Sequence, residues 1–181
     1  MIDRSMHRRI AGLAAVAIAP LLLSACSGDN SPAEATAAET VTIQDQWIKA
    51  ADSGMSAAFG SLTNSGGREA TIVSASSPAS ERVELHEVVV DAGGAKTMRE
   101  KDGGFVLPAG GTLTLAPGGE HLMFMDLHGP LRTGSEVPVT LSFADGSTTT
   151  FTAQVRDFAG NQENYTPGSG HDAPATPHDG A

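Results

Sequence analysis

Val137-Pro-Val-Thr-Leu-Ser-Phe143, then Ala-Asp145-Gly146-Ser, then Thr148-Thr-Thr-Phe-Thr-Ala-Gln-Val155 is the stretch that decides the fold. Two runs of strand length flank an Asp-Gly pair, and Asp-Gly between such runs is a strong hairpin signal, read here as a two-residue turn. Working outward, further short runs appear at Val41–Ile43, Trp47–Ile48, Ala57–Phe59 with Leu62, Thr71–Val73 and Val83–Val90. Others lie at Phe105–Leu107, Thr112–Leu115 and His121–Leu127. Asn64-Ser-Gly-Gly67, Gly93-Gly94, Asp102-Gly-Gly104, Pro117-Gly-Gly119 and Gly129-Pro130 punctuate them. Short strands at this spacing without helical periodicity predict an all-β antiparallel sandwich or barrel over residues 41–158.

The composition agrees. Hydrophobic residues make up 40% of the 181, enough for one core, while 21 Gly and 10 Pro favour turns over long helices. A formal net charge of −10 argues against nucleic acid as a partner, because its binders need clustered Lys and Arg. One cysteine, Cys26, excludes an intramolecular disulfide and a thiolate-rich metal site.

Residues 1–25 read as a secretory leader. Arg4, Arg8 and Arg9 precede an apolar run from Ile10 to Leu22, and Leu23-Ser-Ala-Cys26 follows. That run is too short to span a membrane core of roughly 30 Å as a permanent helix. Leu-Ser-Ala-Cys resembles the bacterial lipobox, which implies that Cys26 is lipidated and becomes the mature N-terminus. Cleavage would remove three arginines and Asp3, taking the formal charge from −10 to −12. The expected location is the outer face of a bacterial cytoplasmic membrane, or a periplasm, with the lipid as anchor. Residues 26–40 hold the cysteine and a flexible linker with a reach of roughly 20 Å. Residues 159–181, rich in His, Asp, Pro and Gly, read as a disordered tail.

The segment Glu120-His-Leu-Met-Phe-Met-Asp-Leu127 carries the most chemistry. In a strand, His121, Met123 and Met125 share one face and Leu122, Phe124 and Asp126 the other. With Leu122 and Phe124 in the core, one imidazole and two thioethers are expected to point outward, where methionine is unusual unless its sulfur binds something. His86 and Met98 lie upstream. Taken singly, His86 reads equally as a surface or satisfied core histidine, and Met98 as packing. Taken together, His86, Met98, His121 and Met123 form a neutral two-His, two-Met set suited to Cu(I). Met125 is expected to pack beside such a site, and His128 to be a solvated loop residue. With no free cysteine, a blue-copper centre is excluded and structural zinc is disfavoured.

Those residues carry a resemblance. The chain resembles the PCuA(C)-type copper chaperones, whose signature is a first His, a Met some twelve residues on, and His-x-Met about twenty-three residues later, matched here by His86, Met98, His121 and Met123. Glu84-Leu-His-Glu87, Leu107-Pro-Ala-Gly-Gly111 and Pro117-Gly-Gly-Glu-His-Leu-Met-Phe-Met125 match as well, over roughly residues 41–155. The family often has a Met just after the first His, where Glu87 and Val88 stand here, and the Met98-to-His121 gap is one residue longer than usual. The resemblance implies a cupredoxin-like sandwich that holds Cu(I) near its surface. It further implies delivery to an acceptor with Cys thiolates in cytochrome oxidase assembly, either oxidase subunit II or its thiol chaperone.

The expected mechanism is ligand exchange by a monomeric carrier, not catalysis, since no nucleophile–His–carboxylate arrangement is evident. Too few histidines are clustered for a copper–zinc superoxide dismutase. His171 and His178 in the tail offer nitrogen donors suited to Cu(II), against the plainer reading of a soluble tail with incidental histidines. The alternative from another class is a lipid-anchored binding or adhesion sandwich without metal.

Overall fold

The computed structural model describes residues 34–90, 92–160 and 164–165; the leader, Cys26, His171 and His178 lie outside the described residues. In chain order the elements are α1 (Ala37–Thr40), β1 (Val41–Lys49), β2 (Ser56–Asn64), β3 (Ala70–Ser76), β4 (Ser80–Val90) and β5 (Lys96–Glu100). They continue with β6 (Phe105–Leu107), β7 (Thr112–Leu115), β8 (His121–Leu127), β9 (Glu136–Phe143), β10 (Thr148–Arg156) and β11 (Asn164–Tyr165). The all-β reading holds. No helix among the described residues is long and apolar enough to cross a membrane.

Seven strands close a ring. β4 pairs with β8, β8 with β2, β2 with β1, β1 with β10, β10 with β9, β9 with β3, and β3 returns to β4. Closure removes the free edges that an open sheet would expose. β5, β6 and β7 extend the ring from β4, β3 and β2. The ring is not wholly antiparallel as expected, because β1 and β10 run parallel. They lie near opposite ends of the barrel sequence, so no tight turn dictates their relative direction.

The core follows from alternation. β9 buries Val137, Val139, Leu141 and Phe143 and turns the residues between them outward, and Leu85, Phe105, Leu107, Leu122, Phe124, Ala153 and Val155 complete much of the interior. The β9–β10 connection differs from the expected two-residue turn. Phe143 N–H donates to the Ser147 carbonyl and Gly146 N–H to the Phe143 carbonyl, leaving Ala144, Asp145 and Gly146 as a three-residue loop with Gly146 at φ +82°. This is a type I turn closed by a left-handed residue, which glycine supplies without a Cβ clash.

The runs Val41–Ile43 and Trp47–Ile48 form one strand, not two. A β-bulge between Gln44 and Trp47, with Asp45 at φ +53°, adds a residue opposite β2. The extra residue inverts the alternation, so Ile48 enters the core and Trp47 is turned to the barrel's outer face.

Both flanking expectations need correction at their inner ends. Within the linker expected over 26–40, residues 37–40 form α1, with the Glu39 carboxylate accepting from the Thr36 N–H at 2.8 Å. Asp145 and Ser147 accept from the Ala37 and Ala38 amides, and both alanines pack on the core. Polar composition concealed this, because the turn is held by side chains more than 100 positions away. Within the tail expected to be disordered over 159–181, Asn164–Tyr165 pairs in parallel with Thr97–Met98 of β5, whose outer edge offers free backbone groups.

Candidate metal centre

β4 lies between β5 and β8 and places the histidines. His86 stands directly opposite His121, Glu84 opposite Met123 and Arg82 opposite Met125, while on the other side Val88 stands opposite Met98. Residues directly opposite share a face, and diagonal neighbours are within reach of long side chains. His86, His121, Met98 and Met123 therefore converge on one face. Leu85, Leu122 and Phe124 point the other way, into the barrel. The β5 strand that carries Met98 was not evident in the sequence.

The expectation that His121, Met123 and Met125 point outward is met only in part. They do leave the barrel interior, but they are not on a polar face. His86 and His121 are 0% exposed, Met98 and Met123 5%, and Met125 4%. The reason is a second apolar cluster on the outer surface, made of Ala57, Phe59, Met98, Met123 and Met125 with Trp47 and Val88 against it. The bulge in β1 aims Trp47 at Phe59, 4.6 Å between ring centroids, and Phe158 meets Trp47 edge-on at 5.3 Å. Beyond Phe158, Lys49 Nζ donates to the Gly160 carbonyl at 2.9 Å. Phe59 lies 6.1 Å from the His121 ring, which is 5.6 Å from that of His86.

Hydrogen bonding assigns the imidazole nitrogens. The Gly119 carbonyl can only accept, so His121 Nδ1–H donates to it at 2.9 Å and the lone pair of the neutral ring lies on Nε2. His86 Nε2 lies 2.8 Å from the Glu84 carboxylate, which places the proton on Nε2 and the lone pair on Nδ1. Both lone-pair nitrogens are buried. Glu84 is anionic in this setting. Burial is the largest single influence and pushes its carboxyl up, but hydrogen bonds from Arg82 and then His86, with the charge of Arg82, outweigh burial and hold it below the ordinary range. Among the described residues no group of three or more His, Cys, Asp or Glu side chains is arranged so that together they could hold a metal ion. Two imidazoles beside two thioethers suit a soft cation.

Glu87, in place of the methionine common in the resembling family, is engaged elsewhere. Arg99 and Lys101 donate to it at 2.8 and 3.0 Å, and Lys101 also reaches Glu120 at 3.0 Å. Met125 lies in the outer cluster opposite Arg82, beside the four donors. His128 is on an exposed turn, with Nδ1 3.2 Å from the Pro78 carbonyl, away from them. Arg82 and Glu84 were missed as contributors. Their spacing from His86, two residues at a time along one strand, is the signal that would have found them.

A family model described as "Putative lipoprotein LpqE-like" matches residues 41–155. "Putative lipoprotein Lxx21020" of Leifsonia xyli subsp. xyli is 49% identical over 128 residues, covering 71% of this chain and 76% of that protein. Among solved structures, a copper-bound PCuAC domain from PmoF2 shares 22% identity over 67% of this chain and 97% of its own, with a TM-score of 0.55. The solution structure of Cu(I)-bound DR1885 from Deinococcus radiodurans shares 28% identity over 69% and 85%, with a TM-score of 0.51. The barrel is thus cupredoxin-like, as expected. A match across the whole barrel, together with a relative half identical over most of both chains, establishes that the chain belongs to the LpqE-like family and is built on a PCuAC-type fold.

Proposed function

We propose that this protein is an extracytoplasmic copper carrier, anchored through lipidated Cys26, that holds Cu(I) between His86, Met98, His121 and Met123. The observation that carries this reading is the register: His86 faces His121 across β4 and β8, with both methionines on the same buried face. The copper-bound state of similar domains supports it. Residues 1–25 act as the leader, and the segment from Cys26 up to α1 acts as the tether that lets the barrel reach its acceptor. The lipoprotein name of the family and of the Leifsonia relative supports that arrangement.

The cargo is released by ligand exchange. Thioethers are weak neutral donors, so thiolates of an acceptor displace Met98 and Met123 before the imidazoles let go. Oxidase subunit II or its thiol chaperone fits as acceptor. The protein acts as a monomer and catalyses nothing. The test is Cu(I) titration of the soluble 27–181 chain against a competing chromophoric chelator, beside the His121→Ala/Met123→Ala double variant. One tight equivalent, lost in the variant, is expected. Failure of the wild-type chain to compete for Cu(I) would leave the metal-free binding module as the better reading.

A further inference from the structure

We infer that Glu84 is a positioning residue of the candidate site: its carboxylate accepts a hydrogen bond from His86 Nε2–H, fixes the ring, and so presents Nδ1 to an incoming metal ion. The metal-facing half of this inference rests on the carrier reading above; the hydrogen bond itself does not.

The arrangement follows from alternation along one strand. Arg82, Glu84 and His86 lie on the same face of β4, opposite Met125, Met123 and His121 of β8. A column of charged and polar groups thus runs beside a column of soft donors. Glu84 uses both carboxylate oxygens, Oε2 towards His86 Nε2 at 2.8 Å and Oε1 towards Arg82 Nε at 2.7 Å. Arg82 is in turn held by Asp126, its Nη1 3.0 Å from Oδ2. Asp126 has φ +53°, a left-handed conformation that costs energy for a non-glycine residue and turns the chain at the end of β8. The Arg82 pairing spans β4 and β8 and limits the freedom of Glu84.

A buried imidazole that ligates a metal through one nitrogen gains orientation and basicity when the other donates to a carboxylate. Glu84 is 15% exposed at its side chain, dry enough for the charge-assisted bond to be strong, and it stands directly opposite Met123. Glu87, one residue after His86, makes the useful contrast: it is committed to Arg99 and Lys101 and faces away from the imidazoles.

The experiment compares the processed chain (residues 26–181) with its Glu84→Gln, Glu84→Leu and Glu87→Gln variants by two readouts. The first is the imidazole N–H resonance of His86. Bonded to a carboxylate it is expected far downfield and slow to exchange, weakened in Glu84→Gln, where a neutral amide oxygen still accepts, and absent in Glu84→Leu. The second is Cu(I) affinity against a chelator, expected to fall on the order of 10–100-fold in Glu84→Leu and less in Glu84→Gln. Glu87→Gln is expected to change neither. A Glu84→Leu chain that keeps wild-type Cu(I) affinity, or keeps the downfield resonance, would overturn the inference while leaving the carrier reading intact. A wild-type chain that shows the resonance but takes up no Cu(I) would overturn the carrier reading, and the metal-facing half of this inference with it.

Discussion

Replacing Met123 separates packing from ligation. Its side chain is buried among Ala57, Phe59, Met98 and Met125. Met123→Ala strips everything beyond Cβ from that cluster, a change that costs about 2–5 kcal/mol in cores. The lower part of that range, about 2–3 kcal/mol, applies here because the cluster lies on the outer face, where neighbouring side chains can settle into the space. For a domain of this size the melting temperature should drop on the order of 10 °C. Met123→Leu preserves volume and apolarity and should cost under about 1.5 kcal/mol. It removes the sulfur, however, so Cu(I) affinity should fall by at least roughly tenfold, equivalent to about 1.4 kcal/mol of binding. Thermal unfolding of the metal-free chain and competitive Cu(I) titration together read both quantities on each variant. Undiminished Cu(I) affinity in Met123→Leu would show that the sulfur is not a ligand. An unchanged melting temperature in Met123→Ala would refute the packing argument.

Gly104 has φ +79°, and a Cβ there would meet the Ile72 carbonyl oxygen, so Gly104→Ala should destabilise by about 2–4 kcal/mol in denaturant unfolding. The Glu120 and then Glu87 carboxylates raise the Lys101 ammonium above its ordinary value, and Lys101 and then Arg99 lower Glu87. The lysine's contribution is therefore full below the unfolded lysine value of about 10.4 and lost as pH rises through its higher folded value. That of Glu87 is present above about 4.3 and lost as pH falls through its lower folded value. Lys101→Met should cost about 0.5–1 kcal/mol between those limits and flatten the alkaline limb of a stability–pH curve. Asp145 is held below the usual carboxylate range first by the Ala37 amide and then by Ser147. Its hold on α1 is present above about pH 4 and lost as pH falls through the lower folded value. The protection of the Ala37 amide, taken relative to the intrinsic exchange rate at each pH, should fall on acidification, and Asp145→Ala should show the lower protection already at neutral pH.

Much of the site was legible because its donors sit on strands at regular spacing. The period of two along His121-Leu-Met123 puts the imidazole and thioether on one face whatever the strand pairs with. The burial of that face was not legible. It depends on Trp47, whose orientation is set by a one-residue bulge at Asp45, and a single inserted residue inverts every side chain beyond it. A reading of Val41–Ile43 and Trp47–Ile48 as separate strands contains both halves but not their change of phase. β5 escaped notice for a different reason: Lys96-Thr-Met-Arg-Glu100 is largely polar, and it is a strand because β4 offers an edge to it.

The chain by itself determined that this would be an all-β domain, where most of its strands and turns would fall, and which soft donors it would present. Those properties rest on local spacing and side-chain chemistry. Only the tertiary structure decided that β1 and β10 close the barrel in parallel, that His86 meets His121, and that Glu84 and Arg82 join the site. It also decided that residues 37–40 and 164–165 belong to the fold. Each of these depends on a pairing between distant segments, and the partners in such a pairing are chosen by the energy of the whole barrel, not by either segment alone.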